Sequence, residues 1–99
     1  MIGLEIMVRI SPQKRTEFLQ VFDMSQGRDY SYDKRVSIHL FERVNEANTF
    51  LWREEWENNE SLMLYCKENR FRATMGAIDI LGELIHHKHF VFEEELADG

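Results

Sequence analysis

The stretch RVSIHLFERVNEANTFLWREEW, residues 35–56, decides the fold. In its first half Val36, Ile38 and Leu40 alternate with Ser37, His39 and Phe41. That is the period of a strand, and it predicts β-structure over 35–44. Asn45-Glu46-Ala47-Asn48 is a cluster of turn residues. Thr49–Trp56 is again rich in β-formers, with Phe50, Trp52 and Trp56 on one parity. Two strands with so short a turn between them form a hairpin.

Upstream, Leu4, Ile6, Val8 and Ile10 alternate with Glu5, Met7 and Arg9, which predicts a first strand. Ser11-Pro12 follows as an N-cap and a first helical position, because proline lacks the N–H that would be unpaired there. The helix carries Phe18, Leu19 and Phe22 on one face and is expected to fade near Gly27, in a polar loop over 25–33. Downstream, Asn58-Asn59 caps a second helix, with Glu60 at its positive end and Leu62, Met63 and Cys66 on one face. Asn69 breaks or re-caps it, and Phe71, Met75, Ile78 and Leu81 continue a helical stripe that Gly82 ends. A last strand is expected over 84–92, and an acidic tail from about residue 93 is expected to fray. The order β-α-β-β-α-β predicts an α+β, ferredoxin-like fold: a four-stranded antiparallel sheet with both helices on one face.

A chain of 99 residues is one domain, 1–99. Hydrophobic residues make up 43% and charged residues 30%, which is a globular rather than a disordered profile. The net charge of -6 excludes nonspecific binding to nucleic acid or an anionic membrane, both of which need a basic surface. Cys66 is the one cysteine, so no intrachain disulfide forms. Glu5 and Arg9 interrupt the first apolar run, so it does not read as a signal peptide, and no stretch approaches the ~20 apolar residues of a membrane span. A cytoplasmic location is the expectation.

Alternation places Leu4, Ile6, Val8, Ile10, Val36, Ile38 and Leu40 under the helices. Met7, Phe41, Leu51 and Val91 fall on the opposite face, among Glu5, Arg9, His39, Arg43, Arg53 and Glu55. A bare sheet face with that apolar content predicts a homodimer through the open face.

The strand Val36–Glu42, the hairpin strand ending Arg53-Glu54-Glu55-Trp56-Glu57, the polar gap Asn58-Asn59-Glu60-Ser61-Leu62 and the helix reaching Phe71-Arg72 together resemble the antibiotic-biosynthesis-monooxygenase-like superfamily. The similarity covers nearly the whole chain and implies a dimeric α+β barrel. It implies one of several activities: cofactor-free oxygenation of quinols or polycyclic phenols, haem degradation, or none known. The haem-degrading branch uses an Asn, a Trp and a His that would fall near Val8, Tyr65 and Met75. None of the three matches, so haem degradation is not expected.

A cofactor-free oxygenase needs an apolar pocket, a base and exclusion of water, because a deprotonated dihydroxyaromatic passes an electron to O₂ itself. The candidate substrate-binding residues are Phe22, Trp52, Trp56, Phe71 and Met75, and the candidate catalytic groups are His39, His86 and Tyr65. Each of these aromatics also has a plain reading as core. The expected function is cofactor-independent oxygenation of a quinol or other electron-rich aromatic, with no cofactor. A noncatalytic small-ligand-binding dimer is the alternative, and a metal- or haem-binding protein ranks third. His86-His87-Lys88-His89 reads as a solvated or interface-lining cluster rather than a metal site, because Lys88 repels a cation and no acidic or thiol ligand completes a spacing. Cys66 reads as a buried, inert thiol, and Arg70 and Arg72 as a wet helix face.

Overall fold

The computed structural model describes residues 1–26 and 34–91. The elements run β1 (Ile2–Ile10), a 3₁₀ turn (Pro12–Lys14), α1 (Arg15–Ser25), β2 (Arg35–Glu42), β3 (Thr49–Trp56), α2 (Asn59–Cys66), α3 (Asn69–Leu81) and β4 (Gly82–Val91). The sheet order is β2-β3-β1-β4, with every neighbouring pair antiparallel. β1 and β2 therefore run parallel with β3 between them, which is the split βαβ arrangement of the ferredoxin-like fold. The expected loop through Gly27, the end of the last strand at Phe92 and the acidic tail lie outside the described residues. No described helix is long and apolar enough to cross a membrane.

The core forms where the apolar side of the sheet meets the helices. Leu4, Ile6, Val8 and Ile10 from β1 and Phe50, Trp52 and Trp56 from β3 are buried against Phe18 and Phe22 of α1, Leu62 and Tyr65 of α2, and Phe71, Ile78 and Leu81 of α3. Asn58 caps α2 by accepting the Ser61 N–H at 2.8 Å. Asn48, in the β2–β3 turn, adopts φ 65°, a left-handed conformation that asparagine tolerates.

Five local expectations are corrected. Ser11 makes no side-chain cap bond, and Pro12–Lys14 forms a 3₁₀ turn before the α-helix starts at Arg15. β2 stops at Glu42 rather than Val44. Val36 is the extra residue of a bulge, since Arg35 pairs with Trp56 and Ser37 with Glu55. It is 53% exposed, not packed under the helices. The bulge turns Arg35 inward instead, although by simple alternation it shares a face with Ser37. β4 begins at Gly82, directly on the end of α3, and carries a second bulge at Ile85. Its register puts Val91 opposite Ile2 on the helix-facing side, so Phe90, not Val91, belongs to the open face. There Phe90 lies over Gly3, where any Cβ would meet its ring, and the Arg53 guanidinium stacks on it 4.6 Å from the ring centre. Lys88 shares this face, stays exposed, and reaches Glu5 at 3.5 Å.

Candidate active site

β3 places four successive helix-facing side chains at Phe50, Trp52, Glu54 and Trp56. Three of them are apolar and one is a carboxylic acid with no solvent exposure. The Cα partners of Glu54 on the neighbouring strands are Leu4 and Ile38, so the group is flanked by hydrocarbon. It survives there because donors converge on both oxygens. Oε2 accepts the Trp52 indole N–H at 3.0 Å and the Tyr65 hydroxyl at 3.1 Å. Oε1 accepts the Trp56 indole N–H at 3.2 Å and faces an Arg35 guanidinium nitrogen at 3.5 Å. Arg35 is held in turn by the Ser25 carbonyl at the end of α1, 2.9 Å away. Burial pushes the Glu54 carboxyl above its ordinary range, and Arg35, Trp52, Tyr65 and Trp56 pull against that rise.

The aromatic residues around Glu54 are packed edge and face. Phe22 meets Trp52 at 5.0 Å between ring centres, Trp56 meets Tyr65 at 4.8 Å, and Tyr65 meets Phe71 at 5.2 Å. Beyond this wall, between α1 and α3, lies a pocket of about 260 Å³. Val21, Met24, Ala73 and Ala77 form its apolar sides, and Ser25, Tyr65, Arg70 and Thr74 its polar points. Small residues on α3 leave the space: Ala73 and Ala77 sit one turn apart.

The predicted residues divide between the two faces of the sheet. Phe22, Trp52, Trp56, Phe71 and Tyr65 come together on the helix side, where only Tyr65 among them lines the pocket. Met75 is half-buried against the same core. His39 and His86 lie on the open face, His39 beside Phe41 and His86 opposite Met7. The bulge at Ile85 sends His87 and His89 to the helix side, opposite Ile6 and Leu4. β2 and β4 are the two edges of the sheet, so His39 does not approach His87 or His89 within the chain. Among the described residues no group of three His, Cys, Asp or Glu side chains is arranged to hold a metal ion. Cys66 is half-buried, and burial, helped by the nearby Glu54, pushes its thiol up to about 11, so it stays protonated at neutral pH.

Sequence reasoning missed Glu54, Arg35 and the α1–α3 pocket. The signal for Glu54 was the parity it shares with Phe50, Trp52 and Trp56. Arg70, read as a wet helix position, stands at the pocket wall.

No family model matches the chain. A Bacillus subtilis protein, "Putative monooxygenase YcnE", is 28% identical over 73 residues, which span 74% of this chain and 77% of that one. The structure of SnoaB, a cofactor-independent oxygenase from Streptomyces nogalater, matches with a TM-score of 0.82 at 14% identity, over 97% of this chain and 96% of that one. A structure from Deinococcus radiodurans, described as a "putative antibiotic biosynthesis monooxygenase", matches with a TM-score of 0.79 at 15% identity, over 98% of this chain and 95% of that one.

Proposed function

We propose, from its membership by fold in the antibiotic-biosynthesis-monooxygenase-like superfamily, that this chain is a cofactor-independent monooxygenase of a quinol or other electron-rich aromatic. The observation that carries the reading is the α1–α3 pocket, which ends on Tyr65, a tyrosine whose hydroxyl is anchored on a buried carboxyl group. Its volume, about 260 Å³, lies just below the usual range for small-molecule sites, which suits a one- or two-ring ligand.

The chemistry needs no resident redox group. A phenol that loses its proton passes one electron to O₂, and the radical pair joins at an electron-rich ring carbon bearing hydrogen. Loss of water leaves a quinone. One oxygen atom enters the ring, and the other departs as water with the substrate's O–H and C–H hydrogens, so the substrate supplies both electrons. Val21 and Ala77, with the exposed Met24 and Ala73 at the rim, give the ring an apolar surface to lie against. Tyr65 orients the phenolic oxygen. Phe22, Trp52, Trp56, Phe71 and Met75 act as the rigid wall that fixes Tyr65. The proposal includes a homodimer through the open face, where Met7, Phe41, Leu51 and Phe90 gather and where His39 and His86 would meet the second copy.

Oxygen uptake by purified, metal-stripped protein with dihydroxynaphthalenes and related quinols tests the reading. Uptake well above the spontaneous rate, reduced by Tyr65→Phe, is expected. One observation favours the alternative of a noncatalytic binding module: Trp52 and Phe71 are packed as core rather than turned to the pocket. No uptake across the panel, with a quinol still bound, would turn the reading to that alternative.

A further inference from the structure

A phenol bound in the pocket must lose its proton, and among the described residues the pocket's lining holds no carboxylate or imidazole to take it. One group stands a single hydrogen bond behind the lining. We infer that Glu54 is the proton acceptor of this site, taking the substrate's phenolic proton through the Tyr65 hydroxyl. The inference rests on the reading of the pocket as a phenol site.

The geometry supplies each step. Tyr65 lines the pocket and donates its hydroxyl hydrogen to Glu54 Oε2 at 3.1 Å. A hydroxyl oxygen that donates in one direction accepts in the other. The substrate O–H therefore hands its proton to Tyr65 Oη as Tyr65 hands its own to Glu54. One O–H bond breaks and one forms at Tyr65, which ends neutral. The negative charge moves from Glu54 to the phenolate and the site's total charge is unchanged, so no ion is newly buried.

The surroundings suit a group that exchanges a proton. Among the described residues, the titratable or charged side chains facing Glu54 are Arg35 from β2 and Tyr65 and Cys66 from α2, and Leu4 and Ile38 flank it on the neighbouring strands. Arg35 and the two indoles fix the carboxylate oxygens, leaving the Tyr65 bond as the one that leads to the pocket. Desolvation sets its affinity for a proton above that of an exposed glutamate, which brings it closer to that of a phenol.

The test separates this role from oxygenation by using para-nitrophenol, a phenol that is not oxidised in the assay and whose anion absorbs at longer wavelength than its neutral form. Below the probe's own pKa, wild-type protein is expected to bind it with the anion band. Glu54→Gln is expected to bind it as the neutral phenol, as is Tyr65→Phe, which leaves both indoles and Arg35 on Glu54 should the glutamine variant fold poorly. With an oxidisable quinol, kcat is expected to fall roughly 10²–10⁴-fold in Glu54→Gln, the usual worth of a positioned base. The rise of kcat/KM with pH through the Glu54 ionisation is expected to vanish with it. An anion band that persists in both variants, a neutral probe on the wild type, or no binding would overturn the inference. An anion band on the wild type without oxygen uptake would instead overturn only the oxygenase reading.

Discussion

The Tyr65 hydroxyl and the Trp52 indole N–H share one oxygen of Glu54, at 3.1 and 3.0 Å, so a residue of α2 and a residue of β3 are tied through a single buried carboxylate. Helix position and sheet register are thereby coupled at the place where the pocket wall is built. A carboxylate in such surroundings costs several kcal/mol to desolvate unless its partners are all in place. The network is therefore sensitive to any member's loss.

Arg35→Met removes the cation and leaves Glu54 with three neutral donors. Breaking a buried pair costs on the order of 3 kcal/mol, because the remaining charge stays uncompensated. The sign of its pH dependence follows from the direction of the shift. Burial already raises the Glu54 pKa above 4.5, and loss of Arg35 raises it further. A raised pKa means stability that is present below the unfolded value and lost as pH rises through the folded one. The melting-temperature gap between wild type and Arg35→Met is expected to be small near pH 4.5 and to widen toward neutrality. A gap that stays constant with pH would show that Glu54 does not change charge over that range.

Much of the fold was legible because its signals are local. β3 runs over Thr49–Trp56 as the alternation predicts, Asn58 caps α2, and Gly82 ends α3. The first bulge was not legible, and of the second only its strand was, since Lys88 and Phe90 share a parity that a bulge or a snorkelling lysine would relieve. A bulge is a relation between strands, and nothing in Val36 or Ile85 marks either residue as the unpaired one. Yet the first bulge turns Arg35 toward Glu54, and the second reverses the parity of β4 after Leu84, which puts His86 on the open face and His87 and His89 on the helix side. The site was hidden for a related reason. The parity of Glu54 with Trp52 and Trp56 places all three on one face, but a lone carboxylate there has no visible reason to be buried until the donors of α2 and β2 are brought to it. The pocket depends on how α1 and α3 pack, which the sequence of neither helix records.

Glu42 on β2 is held by Arg15 of α1, with one oxygen at 2.8 Å from a guanidinium nitrogen, and accepts the Asn48 N–H at 2.8 Å. The Arg15 bond first, then the Asn48 N–H, lower its carboxyl from 4.5 to about 2. A lowered pKa contributes stability above the unfolded value that is lost as pH falls through the folded one. The wild type is expected to lose melting temperature relative to Glu42→Gln between pH 4.5 and about 2, and the difference is expected to be flat above that window. Thermal melts of both proteins across pH 2–7 check it, and a difference that changes only above pH 4.5 would contradict the assignment.

Two glycines of the α3–β4 segment are expected to respond oppositely to alanine. A Cβ at Gly82 would stand 2.2 Å from the Arg9 carbonyl oxygen and 2.8 Å from the Ile10 Cα, backbone atoms that cannot move aside without disturbing the β1–β4 pairing. Gly82→Ala is expected to destabilise by about 1–3 kcal/mol or more, the cost of overpacking. A Cβ at Gly76, inside α3, meets nothing within 4 Å. Gly76→Ala is expected to stabilise by roughly 0.4–1 kcal/mol through the unfolded chain's lost freedom. Urea unfolding of the two variants tests both signs at once.

The open face makes a claim about assembly that one substitution can test. Leu51 sits at its centre, paired with Met7 on one side and Phe41 on the other, and Phe41 is 52% exposed. If two copies pack these faces together, Leu51→Asp buries an unpaired charge in the middle of the interface, which association cannot offset. Size-exclusion chromatography with light scattering is expected to give twice the chain mass for the wild type and the single-chain mass for Leu51→Asp. Met24→Asp, on the far side beside the pocket, serves as the control, because Met24 is exposed at 69% and its charge would be solvated. Dimers in both variants would place the interface elsewhere, and monomers in the wild type would leave the open face as a half-wet sheet with no partner copy.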